Sequence, residues 1–181
     1  MPVLAGSHDR PRYSRRVPIP PFVARLRSQV GHEMLWLPGV SAVVLDDDGR
    51  LLLGRRADNG NWAVVSGILE PGEDPAPAAL REVLEETGVR AEAVAVTALS
   101  VSEVVTYPNG DLAQYLDTCF WCRAVDGEAT VADDESTEVG WFAPDDLPAP
   151  LNPSTVERIS RTLAYIDAER SGTTPRPWFA V

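Results

Sequence analysis

The sequence predicts an α/β protein, an α/β/α sandwich with a mixed central sheet, on three observations. Runs of strand-forming residues lie on both sides of a helix near residue 80, an antiparallel hairpin follows that helix, and a second amphipathic helix comes near the C-terminus. The chain has 181 residues with 44% hydrophobic content, ample for one core and slim for two. The expected division is an N-terminal extension with a short helix over 1–37, one domain over 38–170 and a tail over 171–181.

The extension begins with small, polar and basic residues, among them Arg10, Arg12, Arg15 and Arg16. Pro18, Pro20 and Pro21 then mark a stiff link. Phe22, Val23, Leu26 and Val30 form the stripe of a short helix that Gly31 ends, packed on the domain or across a dimer seam.

Gly39 to Asp46 reads as a strand, Asp47-Asp48-Gly49 as a turn, and Leu51 to Arg56 as the hairpin partner. The turn lacks the remaining positions of a calcium loop. Asp58-Asn59-Gly60-Asn61 makes another turn, and Trp62 to Ser66 a short apolar strand leading to Gly67. The next helix is expected over about Pro75 to Thr87. Asp74 would accept from its first-turn amides, Pro75 at its first position loses no needed bond, and Gly88 permits a left-handed cap.

Ala93 to Tyr107 and Ala113 to Val125 form the later hairpin, with Pro108-Asn109-Gly110-Asp111 at its tip. Asp133 to Glu138 is an acidic loop ahead of a strand over Val139 to Phe142. Ser154 and Glu157 make a capping box, and Val156, Ile159, Leu163 and Ile166 a stripe on a helix reaching about Glu169. Ser171 to Val181 reads as irregular.

A formal charge of −11 argues against a polyanionic nucleic acid as partner, while a phosphorylated small molecule can still bind through a metal. No apolar run approaches the length that spans a bilayer, which points to no membrane partner and a cytoplasmic location. Cys119 and Cys122 stand three apart on a strand, so they face opposite sides of the sheet and read as buried thiols. His8 and His32 stand apart from any nucleophile or ligand group.

The densest chemistry lies between Gly67 and Val89. On the expected helix Glu82, Glu85 and Glu86 stand at i, i+3 and i+4, so three carboxylates share one face. Such like-charge pairs cost about 0.2–0.5 kcal/mol each when exposed. A hard divalent cation turns that crowding into coordination, and an oxygen-only ligand set suits Mg²⁺, with Mn²⁺ as a substitute. The other reading of such a face is simple solvation.

Gly67, Glu73, Arg81, Glu82, Val83, Glu85, Glu86, Gly88 and Val89 together match G-x5-E-x7-R-E-U-x-E-E-x-G-U, with U apolar, at every position. The stretch resembles the Nudix box, and the strands from about Val40 to Phe142 fit that family's fold. The resemblance implies that Glu82, Glu85 and Glu86, with the carbonyl of Gly67, hold the metal. It also implies that Arg81 orients the glutamates and that Glu73 braces the loop. Ser66 replaces the glycine usual before Gly67.

The activity implied is hydrolysis of a diphosphate bond in a nucleoside diphosphate linked to another group, by water attack at phosphorus. The general base is either a box glutamate or one from the acidic loop, Glu135 or Glu138. ADP-ribose-like or nucleotide-sugar substrates are favoured over nucleoside triphosphates because Trp62, Tyr107 and Tyr115 offer stacking surfaces, with Asn109 and Asp111 of the hairpin tip beside them. The alternative is a non-catalytic domain that senses a nucleotide. Eroded glutamates would mark it, and here the box is complete.

Overall fold

The computed structural model describes residues 19–180, so the arginines of the N-terminal run and His8 lie outside the described residues. In chain order the elements are α1 (Pro21–Val30), β1 (Leu35–Leu45), β2 (Leu51–Arg56), β3 (Trp62–Ala63), β4 (Val65–Ile68) and α2 (Pro75–Thr87). There follow β5 (Arg90–Val101), β6 (Val105–Thr106), β7 (Leu112–Asp126), β8 (Ser136–Phe142) and α3 (Pro153–Arg170). β1 and β7 pair in parallel over their common length and every other pairing is antiparallel, which makes the sheet mixed.

Strand order runs β3-β2-β1-β7-β5, with β8 on β2, β6 on β7 and β4 on β1. One edge of β1 is shared. Gly39 to Ala42 pair with β4, while Leu45 pairs with Leu51 of β2, so the sheet forks between β4 and the β2–β8 pair.

The two faces separate by alternation along β1. Val40, Ala42 and Val44 pack under α2 with Ala78, Ala79 and Val83, and Val43 and Leu45 pack with Ile159 and Ile166 of α3. Cys119 lies in the α3-side cluster and Cys122 in the α2-side cluster, both buried and free, as the spacing predicts. Burying Val83 alone is worth ~1.5–3 kcal/mol relative to exposure, which is enough to fix the orientation of α2.

Several local expectations need correction. β1 starts at Leu35, four residues before the expected Gly39, because Leu35 to Pro38 pair with Ala113 to Leu116 of β7. The strand expected from Trp62 to Ser66 is broken at Val64, whose amide donates to Thr155 Oγ1 at 3.2 Å. Asp74 is extended before α2 and makes no side-chain cap bond, although Gly88 does close that helix in the left-handed region at φ 70°. α3 is capped by Asn152, whose side chain accepts from the Ser154 amide at 3.2 Å; Glu157 pairs with Arg161 instead.

α1 packs on the domain through Val23, against Leu37 and Ala113, while Leu26 and Val30 of the expected stripe are exposed. The tail is not wholly irregular. Trp178 donates its amide to Thr97 O at 2.8 Å and accepts from Leu99 N at 2.9 Å, which adds one bridge at the outer edge of β5.

Candidate active site at the fork of the sheet

Gly67 pairs with Val40 on the side of the sheet covered by α2, and the Glu82 side chain lies directly over it. A Cβ on Gly67 would stand 2.0 Å from Glu82 Oε1, so only glycine admits this approach. Arg81 gathers the acids on the near side. Its Nε and Nη2 donate to both Glu73 oxygens at 2.9 and 3.0 Å, and its Nη1 donates to Glu82 and Glu85 at 3.0 Å each. Glu73 Oε2 also accepts from the Glu70 amide at 3.2 Å, tying the loop before α2 to the helix. Hydrogen bonding to Arg81 holds the Glu73 carboxyl below its ordinary range.

Glu86 takes no part in the Arg81 network. It is 9% exposed, and no hydrogen bond or ion pair among the described residues closes on its carboxylate. Burial, followed by the nearby Glu135, Glu82 and Asp133, pushes its pKa well above the carboxylate range. Burial also raises Glu82. Glu135 belongs to the same group: burial, then Asp133 and Glu82, pushes it up to about 7. The loop that carries Glu135 is stitched to the site by backbone bonds from Ala132 N to Glu86 O at 3.2 Å and from Ala57 N to Glu135 O at 2.8 Å. Glu138 is engaged elsewhere, by Arg55 Nη1 at 2.6 Å.

Among the described residues no three acidic groups are drawn around one point as they stand, since Arg81 holds Glu82 and Glu85 while Glu86 faces Glu135. The donor set nevertheless fits a hard divalent cation. It is all oxygen, it includes a buried carboxylate with no bonded cation among the described residues, and the glycine cradle leaves the Gly67 backbone uncovered by any side chain of its own.

The substrate-contact expectations divide. Trp62 is a correction. Its ring is 8% exposed and meets Phe142 edge-on at 4.9 Å between centroids in the α3-side core, so it offers no stacking face. Asp111 is a second correction, because His32 Nδ1 stands 2.7 Å from one oxygen and Arg27 Nε 3.4 Å from the other. His32 therefore does have a partner. Asn109 is folded back on the turn, with Oδ1 accepting from Asp111 N at 3.1 Å and Nδ2 donating to Asp111 Oδ2 at 2.9 Å.

Tyr107 and Tyr115 do come together, hydroxyl to hydroxyl at 2.7 Å, with Tyr107 39% exposed. Tyr115 and the carbonyl of Gly67 both border Gly39: a Cβ added there would stand 3.4 Å from Tyr115 Cβ and 3.7 Å from Gly67 O. Sequence reasoning missed Arg56 and Asp133, which border the cluster across the fork; nothing local distinguishes them from an ordinary strand end and an ordinary acidic loop.

A mixed sheet with a helix on each face, a glycine cradle and a partly buried acidic helix face bearing the complete box pattern place the chain in the Nudix class of folds. The chain belongs to the Nudix hydrolase family: the NUDIX domain model matches residues 35–163. It is 39% identical over 108 residues to a MutT-like protein of Streptomyces ambofaciens, covering 60% of this chain and 64% of that one. It is 34% identical over 135 residues to the NAD-capped RNA hydrolase NudC of Klebsiella pneumoniae, covering 73% of this chain and 49% of the relative. The chain thus spans between about half and two thirds of the length of these relatives. A solved MutT NUDIX hydrolase from Burkholderia pseudomallei superposes with a TM-score of 0.60 at 28% identity, covering 70% of this chain and 98% of that structure.

Proposed function

We propose that this chain hydrolyses the diphosphate bond of a nucleoside diphosphate linked to a second moiety, with Mg²⁺, or Mn²⁺ in its place, held by Glu82, Glu85, Glu86 and the carbonyl of Gly67. The observation that carries the reading is the buried Glu86 carboxylate, set between Glu82 and Glu135 without a bonded cation. Such a group is costly in a folded protein unless a positive charge joins it. When bound, the ion lowers the pKa of water and neutralises charge that develops on phosphate oxygens.

The chain's own residues do the rest. Arg81 keeps Glu82 and Glu85 on one side of the helix, and Glu73 fixes Arg81 in turn. Glu135 takes the proton of the attacking water on its carboxylate; a pKa near 7 suits a general base at neutral pH. Tyr107 and Tyr115, the latter bordering Gly39 as Gly67 O does, give the nucleoside an aromatic surface. Relatedness to an NAD-capped RNA hydrolase supports a substrate with a diphosphate between two larger groups. A homodimer belongs to the same reading, since Trp36 on β1 and Leu99 and Val101 on β5, the strands either side of β7, stand exposed, and light scattering tests it.

Chromatographic detection of the nucleoside monophosphate formed from a panel of ADP-ribose, nucleotide sugars, dinucleotides and nucleoside triphosphates, with Mg²⁺ and with chelator, tests the activity. Glu86→Gln and Glu85→Gln should keep the fold and suppress turnover. Full turnover in both variants would refute the assignment.

A further inference from the structure

We propose that the groove between α3 and the C-terminal tail is a docking site for an acidic, apolar-rich peptide segment of a partner protein. It goes beyond the reading above and does not depend on it. α3 covers the face of the sheet opposite α2, so the groove and the box glutamates stand on different sides of the molecule.

The tail builds the groove. Thr173 N donates to Ala168 O at 2.9 Å, and the two bonds between Trp178 and β5 then draw the chain back along α3. Pro177 restricts Arg176 before it to extended backbone. The Arg161 guanidinium lies on the Trp178 ring, 3.5 Å from its centroid, and clamps the tail to the helix. Between helix and tail is a space of about 720 Å³, open to solvent rather than enclosed.

Its lining is apolar where most of a surface is polar. Val156, Trp178 and Phe179 line it while 50%, 39% and 58% exposed, and large apolar groups gathered on one rim mark an interaction surface. Its charge also runs against the rest of the chain. Two arginines, Arg161 and Arg176, stand there against one glutamate, Glu157, in a protein of charge −11. Arg176 has no hydrogen bond or ion pair among the described residues. Arg161 is 19% exposed and commits one N–H, from Nη2 to Glu157 at 2.7 Å, which leaves four of a guanidinium's five donors. No buried side-chain polar atom among the described residues lacks a partner, so those donors reach open space, and the space Arg161 borders is the groove. An occupant that satisfies both features brings apolar side chains and negative charge together.

Shape favours a peptide over a metabolite. The helix flank from Val156 to Ala168 runs ~18 Å along the groove. Metabolite sites enclose most of their ligand, whereas a long open groove takes a peptide segment on apolar anchors. The clamped tail keeps the rim in place beforehand, which lowers the ordering cost of docking.

Fluorescence anisotropy on the full chain tests this with two short labelled peptides, one of Glu, Leu and Phe and one in which every Glu is Lys. The Glu peptide should bind saturably, and more weakly as salt rises, while the Lys peptide should not bind. Arg176→Glu and Ala164→Glu, both at exposed positions in the groove, should each weaken the Glu peptide about tenfold or more. Arg170→Ala, on the same helix but outside the groove, should match the parent. Melting and nucleotide turnover should stay at the parental level in all three, so failure of the proposed function and failure of this inference are read separately. No saturable binding of the Glu peptide to the parent overturns the inference, as does equal binding of the Lys peptide or unchanged affinity in both Glu variants. A parent dimer that Ala164→Glu dissolves would seat a second copy in the groove and overturn it as well. If a Glu variant melts early, Phe179→Ala, at an exposed tail position, decides by the same loss of affinity.

Discussion

Replacing Gly67 by alanine separates fold from function most sharply. The added Cβ would lie 2.0 Å from Oε1, 2.1 Å from Cδ and 2.6 Å from Cγ of Glu82, so the side chain must swing away. The clash is with the end of a flexible side chain, not with backbone, and the strand tolerates it. What is lost in stability is the Glu82 branch of the Arg81 network, a part-buried ion pair worth no more than about 1 kcal/mol. Alanine in a strand regains roughly 0.5–1 kcal/mol relative to glycine. The two nearly cancel, so the melting temperature should move by no more than about 2–4 °C, the shift expected for 1 kcal/mol at this size.

Activity should behave differently. Glu82 is displaced from the Gly67 carbonyl, and losing one organising group of a charge-stabilising site costs about 10²–10³ in kcat. Thermal melts, Mg²⁺ calorimetry and nucleoside monophosphate formation on one preparation provide the check. Near-parental kcat and Mg²⁺ affinity would show that Glu82 need not lie on Gly67. A melting temperature lowered by far more than a few degrees would show that the side chain cannot yield as argued.

Three further outcomes follow from the geometry. In chelator the protein should be more stable near pH 5 than near pH 8. A carboxyl whose folded pKa is raised contributes stability that is complete below its ordinary pKa and is lost as pH rises through the folded value, here about 7 for Glu135, while burial also raises Glu86. Mg²⁺ should flatten or reverse that slope, its affinity rising across the same window, and melts at fixed ionic strength read both effects. Trp62→Ala should cost about 3–5 kcal/mol in denaturant unfolding, against within about 0.5 kcal/mol for Trp36→Ala, since Trp62 is core and Trp36 is 59% exposed. Asp111→Asn should loosen α1 from the β6–β7 tip by weakening its bonds to Arg27 and His32, seen as faster amide exchange in residues 21–33 with turnover retained.

The box helix was legible because its information is local. The proline start, the Gly88 stop and the i, i+3, i+4 glutamates are all written within 23 residues, and the structure differs only in leaving the Asp74 side chain out of the cap. The opposed cysteines were legible for the same reason, strand alternation. Trp62 was not. Its direction depends on the break at Val64, and that break is set by a bond to Thr155, far along the chain. Asp111 was misread because its partners lie far upstream on α1 and just beyond it, so a polar turn residue looked free when it was already paired. Asn152 took the cap that Ser154 was expected to form because Pro153 fits the first helical position, placing the cap two residues earlier.

The same distinction explains why the acids gather at the fork at a cost to the fold. The hydrophobic face of α2 is fixed by Ala78, Ala79 and Val83 against β1 and β4, and that packing decides the helix rotation without reference to charge. Given the rotation, the i, i+3, i+4 spacing must carry Glu82 over Gly67 and Glu86 toward β8. Only the β2–β8 pairing, which delivers Arg56 and Glu135 together, completes the site. A sequence change that weakens apolar packing should therefore lower stability and metal affinity together. A change confined to the acids should raise the stability of the metal-free chain while abolishing its use for a metal: at alkaline pH, where Glu86 must ionise without a bonded partner, Glu86→Gln should melt later in chelator than the parent. An earlier melt would mean that Glu86 is already compensated, and the case for a cation at the fork would fail with it.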